Sequence, residues 1–196
     1  MNKALKSGLI IGGAILLLGV ALILIIRFTT KAHSPEDTVT YLEDDLKLEI
    51  FYNRPYKKGR TIFGELVPFD EVWRTGANEA TTFETNKDIL VDGSHLKAGK
   101  YTLWTVPMED SWKVIFNDQM YPWGINLDEE AYRDPKYDAL VLERPVKKLN
   151  KSLEQFTIDF EEAGDFINMV FTWDKTRVSV PIKKEEAPTG TSSADL

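Results

Sequence analysis

Beyond position 37 the sequence predicts an all-β domain, an antiparallel β-sandwich or curved sheet, set behind one N-terminal transmembrane helix. Three observations predict it. Gly8–Ile26 is an unbroken apolar run. Later segments alternate apolar and polar residues with the period of a half-buried strand. Turn-forming pairs such as Asp92-Gly93 and Ala98-Gly99 punctuate them, with a single short helical candidate, Asp128–Tyr137, which Pro135 holds to a turn or two.

Gly8–Ile26 contains no charged residue and is built from Leu, Ile, Gly, Ala and Val. Its length of about 19 residues gives roughly 28 Å of helix, close to a hydrocarbon core of about 30 Å. A helix satisfies its own backbone in lipid, so a span is expected. A cleavable signal has an apolar region of about 7–15 residues and a small-x-small exit. This run is longer and exits into Arg27-Phe28-Thr29-Thr30-Lys31, so a retained anchor is expected. Lys3 and Lys6 precede the span and Arg27 and Lys31 follow it, so flanking charge is balanced. The short leader fits a signal-anchor with its N-terminus in the cytosol and the rest outside. At about 100° per residue, Gly8, Gly12 and Gly19 share one face, spaced for close approach of a second membrane helix.

The organisation expected is therefore an anchor over 1–27 with its helix at 8–26, a tether over 28–37, a β-domain over 38–183 and a disordered tail over 184–196. A tether of about ten residues keeps the domain within roughly 30 Å of the bilayer. Leu46–Tyr52 is the first strong strand, ended by Pro55 and the turn Lys57-Lys58-Gly59-Arg60. Thr82–Thr85, Asp88–Val91, Lys100–Val106, Trp112–Asn117, Ala139–Leu142 and Gln155–Phe160 follow. Ile167–Trp173 and Arg177–Ile182 read as a last pair joined by a turn at Asp174-Lys175-Thr176. Trp104, Trp112, Trp123 and Trp173, with Tyr101, Phe116, Phe156, Phe160 and Phe171, are read as core rather than as a carbohydrate platform.

All 31 acidic residues lie beyond Lys31 with 20 of the 24 basic ones, so that part carries about −11. Such a charge argues against a nucleic-acid partner, which needs clustered cations, and against direct docking on an anionic lipid surface. Cysteine is absent, which removes disulfides, thiolate metal sites and a cysteine nucleophile. The two histidines, His33 in the tether and His95 in a turn, supply one candidate member for a triad or metal site. No catalytic residue, metal site or cofactor is assigned.

The densest chemistry lies in Asn53–Thr82, where Arg54, Arg60, Trp73, Arg74, Asn78 and Glu79 stand between Gly59, Gly64 and Gly76. Guanidinium forks suit carboxylates, phosphates or sugar hydroxyls, and an indole offers a face for stacking. The same residues can instead stitch irregular loops together by satisfying buried backbone groups. Glu65, Asp70, Glu71 and Glu79 are the supply for a paired-carboxylate hydrolase, in a chain rich enough in acids that some pair always looks suitable.

The run RPYKKGRTIFGELVPFDEVWRTGANEATTF, the later DGSHLKAGKYTLWTVP, and WKVIFND followed by Trp123-Gly124 resemble the bacterial family of unknown function DUF2911 over about Leu46 to Ile182. The resemblance implies an exported or envelope-associated protein, and so a periplasmic β-domain. It implies no activity and no catalytic residues, because the family has none assigned. Three readings follow. The first is a non-catalytic accessory or assembly subunit whose partner is a membrane protein complex of the envelope. The second is a ligand-binding module for glycans or small anions, and the third a hydrolase.

Overall fold

The computed structural model describes residues 3–126 and 130–184. Among them the one α-helix, α1, runs over Lys3–His33. Nine strands follow: β1 Glu36–Glu43, β2 Leu46–Asn53, β3 Thr82–Thr85, β4 Ile89–Val91, β5 Ser94–Leu96, β6 Gly99–Pro107, β7 Ser111–Asn117, β8 Asp138–Ala163 and β9 Phe166–Lys184. They form one antiparallel sheet in the order β1-β2-β3-β6-β7-β8-β9-β4-β5, so the all-β expectation holds.

The segment expected as a tether is structured throughout. α1 continues to His33 and β1 starts at Glu36, with only Ser34 and Pro35 between them. Thr29 and Thr30 return their hydroxyls to carbonyls one turn back, at 2.9–3.0 Å, and leave the helix intact. Pro35 cannot continue a helix and disfavours helical backbone at Ser34. The Ser34 amide closes the last turn on Thr30 O at 3.0 Å, and Pro35 O accepts from Arg54 N at 2.9 Å. Helix end and strand start therefore share one hydrogen-bonded corner.

β8 and β9 are longer than the four short strands expected there. Asp174-Lys175-Thr176 is no hairpin turn but lies inside β9, opposite register shifts between Lys148, Leu153 and Thr157. Asp174 has φ 50° and its carboxylate accepts from Lys57 Nζ at 2.5 Å and Ser152 Oγ at 2.6 Å. A bulge held by side chains bends a strand without ending it. The two long strands also change partners along their length: β8 pairs with β7 through Asp138–Pro145 and with β9 beyond, and the end of β9 pairs with β4.

Among the described residues of the helix expected at Asp128–Tyr137, a bridge joins Ala131 to Ile125, and one 3-10 turn covers Pro135–Tyr137. Asp134 caps that turn by accepting from Lys136 N, and Asn117 Nδ2 donates to Asp134 O at 3.0 Å. Residues 127–129, and the expected tail beyond Lys184, lie outside the described residues. His95 sits on β5, within 3.5 Å of Asp88, and not in a turn.

One core gathers inward side chains from β2, β3, β4, β6, β7, β8 and β9, with Tyr52, Phe83, Trp112, Phe116, Phe156, Phe171 and Trp173 fully or almost fully buried. Trp104 packs in a smaller cluster with Ala80, Ile115 and Tyr121. The expected aromatic core holds except at Trp123, which is exposed, and Phe160, which is half-buried. The end of β2 is fastened to β8. Phe156 N donates to Pro55 O at 2.9 Å, and the Tyr52 hydroxyl accepts from Ile158 N at 2.9 Å and donates to its carbonyl at 3.2 Å. Burial pushes the Tyr52 phenol up to about 12, so it stays a neutral donor.

Candidate functional site

The connection from Asn53 to Thr81 joins β2 to β3 and crosses the end of the sheet nearest α1. It is irregular because its backbone bonds go elsewhere. Trp73 forms a strand-like bridge to Thr105, with N–H···O distances of 2.7 and 3.0 Å in the two directions. Leu103 N reaches Thr81 O at 2.8 Å. Gly76 allows the chain to pass, since a Cβ there would lie 2.9 Å from Asn53 O and 3.2 Å from Thr81 Oγ1.

The six residues singled out from sequence separate into two places. Arg54, Asn78 and Glu79 belong to a polar joint beneath α1. Lys31, in the last turn of the helix, directs its ammonium to Glu79 Oε2 at 2.5 Å, to Asn53 Oδ1 at 3.0 Å and to Glu36. Three acceptors match its three donors. Asn53 Nδ2 donates to the same Glu79 oxygen at 3.0 Å, and Asn78 Nδ2 to Ser34 O at 3.3 Å. Arg54 binds Asp37 at 3.0 Å, Phe156 O at 3.2 Å and Thr157 Oγ1 at 2.9 Å, tying β1, β2 and β8 together. Burial alone pushes the Glu79 carboxyl up. Its hydrogen bonds from Lys31, its own backbone N–H and Asn53 outweigh that, and it sits below its ordinary value.

Arg60, Trp73 and Arg74 line a cleft of about 990 Å³ beside that joint. Trp73 stacks on Trp173 at 6.0 Å with planes 18° apart, meets Trp112 edge-on at 6.1 Å, and donates its indole N–H to Gly76 O at 3.0 Å. Its ring is thus an outward continuation of the core. Arg60 folds over its own turn, donating to Lys57 O at 3.0 Å and Tyr56 O at 2.5 Å. Arg74 packs its stem on Gly124, where an added Cβ would come within 3.2 Å of the Arg74 and Ala80 Cβ atoms.

Sequence reasoning missed Lys31, Asn53, His33, Lys58 and Trp173. Lys31 and Asn53 complete the joint, and the other three line the cleft. One signal was available: Arg27 and Lys31 stand four apart on one helix face, and Arg27 also approaches Glu79, at 4.0 Å. Of the carboxylates considered for hydrolysis, Glu79 is committed to the joint, Glu65 and Asp70 do not line the cleft, and Glu71 does. Among the described residues no three His, Cys, Asp or Glu side chains gather as a metal site. Gly12 and Gly19 face open space, with nothing of this chain within 4 Å of a Cβ built there, and Gly8 lies on the same helix.

Fold and site together define an all-β domain with one amphipathic cleft, joined directly to an apolar helix long enough by length and composition to be a membrane anchor or a signal sequence. The chain belongs to the family described as Protein of unknown function (DUF2911), whose model matches residues 34–182. That match starts at Ser34, so it takes in the whole cleft except His33 and leaves α1 outside. No curated protein and no solved structure matches the chain.

Proposed function

We propose that this protein is a membrane-anchored, non-catalytic accessory or assembly subunit of a bacterial envelope membrane complex, with its N-terminus in the cytosol and its β-domain in the periplasm. One observation carries the reading: the last turn of the apolar helix is built into the domain through Lys31, Asn53 and Glu79. A leader that is cut away has no use for such contacts, and its removal would leave Glu79 without its cation. A retained helix uses them to set the height and tilt of the domain. A fixed mount suits docking on a neighbouring complex better than a slack linker does, because less orientational freedom is lost on binding. The open glycine face of α1 is compatible with a second membrane helix.

Gentle detergent extraction at native abundance, followed by sizing and a mass for the intact chain, tests this. The expected result is a chain that keeps residues 8–26 and migrates within a larger assembly. A chain beginning beyond His33, or a free monomer, overturns it. The cleft favours a second reading, a ligand-binding module, since its volume falls within the range of about 300–1,000 Å³ usual for small-molecule sites.

A further inference from the structure

The cleft combines three properties that narrow its occupant. The first is sign. In a domain of acidic balance, Lys31, Arg54, Lys57, Lys87, Arg144 and Arg177 each meet a carboxylate. The cleft lining runs against that balance, with Lys58, Arg60 and Arg74 set against Glu71 and Glu130. Among the described residues the Lys58 ammonium meets the His33 imidazole at 3.1 Å, and Arg60 meets only backbone carbonyls. Neither contact neutralises a positive charge, so both cations keep their charge beside the cleft.

The second property is height. His33 is the last residue of α1 and lines the cleft with Ser34. Six residues of helix separate it from Arg27, the first charge after the apolar run, or about 9 Å at 1.5 Å per residue. The headgroup layer of one leaflet is roughly 5–8 Å deep, half the difference between a bilayer of about 40–45 Å and its core of about 30 Å. With the helix inserted, the cationic wall therefore stands at the outer edge of the headgroups. The third property is lining. Leu66, Val67, Val72, Trp73 and Trp173 supply apolar surface, while Glu71 and Glu130 supply acceptors on other segments of the rim.

We propose that the cleft takes the headgroup of an anionic phospholipid from the leaflet in which α1 is seated. The phosphate lies against Lys58 and Arg60, headgroup hydroxyls donate to Glu71 and Glu130, and the glycerol carbons next to the phosphate lie on the apolar lining. This rests on the reading that α1 is retained in the membrane. It is also a one-lipid site, which the overall negative charge does not oppose as it opposes broad docking on an anionic surface.

The test uses the full chain in nanodiscs of phosphatidylcholine with a minor share of phosphatidylglycerol, followed by native mass spectrometry of the lipid each released chain keeps. The expected result is one retained phosphatidylglycerol, enriched at least fivefold over its share of the disc. Enrichment should fall to the share of the disc in a Lys58→Gln, Arg60→Gln double variant and survive in Lys58→Arg. Retention at the disc ratio in the unaltered chain, or equal enrichment in the double variant, overturns the site. Displacement of the lipid by millimolar soluble glycerol phosphate overturns the lipid source in favour of a free anion. A chain that washes out of the discs at alkaline pH fails the anchoring reading, and the lipid site with it; a chain that stays but enriches nothing fails the lipid site alone.

Discussion

The joint and the cleft are built from the same connection, yet they treat charge in opposite ways. In the joint, Lys31 spends each donor on an acceptor, and Asn53, Asn78 and Glu79 close the remaining valences among themselves and on Ser34. On the cleft wall, Lys58 and Arg60 are exposed and meet an imidazole nitrogen and carbonyl oxygens. A saturated polar cluster resists opening because each lost partner leaves a partly buried group unsatisfied. Cations without anions add little to stability and keep their charge available to something outside the chain. The difference separates what holds the domain to its helix from what the domain offers to its surroundings.

The comparison is broken most severely at the floor the two regions share with the core. Trp173 is 1% exposed, lies under Trp73 and Phe156, and still lines the cleft. Trp173→Ala is expected to cost about 3–5 kcal/mol, through lost burial and an unfilled cavity. In a domain of this size that is a fall in Tm of roughly 10 °C, read by calorimetry. A loss below about 1 kcal/mol would mean that the stacked indoles are a removable ligand platform and not core.

The joint comes next. Glu79→Gln keeps the shape and removes the charge, with an expected loss of about 1–3 kcal/mol. It should also be seen as faster proteolysis after Lys31, where the helix end would be freed. The pH dependence follows from the same contacts. Because the folded state holds the Glu79 carboxyl below its ordinary value, the stabilisation is present above the unfolded value and is lost as pH falls through the folded one. Proteolysis at the corner should therefore rise on acidification below about pH 4 in the unaltered chain, and the Gln variant should lack that acid-dependent increment. A flat profile in both would show that Asn53 and Asn78 hold the corner without the ion pair.

Much of this was legible beforehand, and the failures have physical causes. β2, β3, β6 and β7 fall within a residue or two of their expected bounds, because β2 and β3 alternate, while β6 and β7 are nearly continuous buried runs of aromatic and β-branched residues between turn signals. β1 is hard to read in sequence because an edge strand in Glu36–Glu43 exposes most of its length, leaving only Val39 and Tyr41 against the core. β9 reads as two strands because Asp174, with its positive φ, looks like a turn although the chain merely bends there, and β8 reads as two because its middle, over 143–154, is polar, mostly exposed and shifted in register. Recognising the Asp174 bulge required seeing Lys57 and Ser152 beside it, and those contacts join residues far apart in the chain. For the site, the residue types were readable and their allegiance was not. Arg54 and Arg60 look equivalent in sequence, yet Asp37 and Thr157 claim the first while only carbonyls hold the second.

That last contrast gives the smallest expected effect and the cleanest separation. Arg54→Ala removes bonds to Asp37, Phe156 O and Thr157 at once, so a loss of about 1–3 kcal/mol is expected. Arg60→Ala removes bonds to two carbonyls of its own exposed turn, which water can replace, and should stay within about 0.5 kcal/mol. Chemical denaturation of the two variants side by side decides the matter, because both carry the same change in residue and charge. If Arg60→Ala costs as much as Arg54→Ala, the guanidinium is a clasp for the turn over 57–60 and the cleft loses one of its two open cations. If it costs nothing measurable, the charge at position 60 is held in place for a contact that the chain itself does not supply.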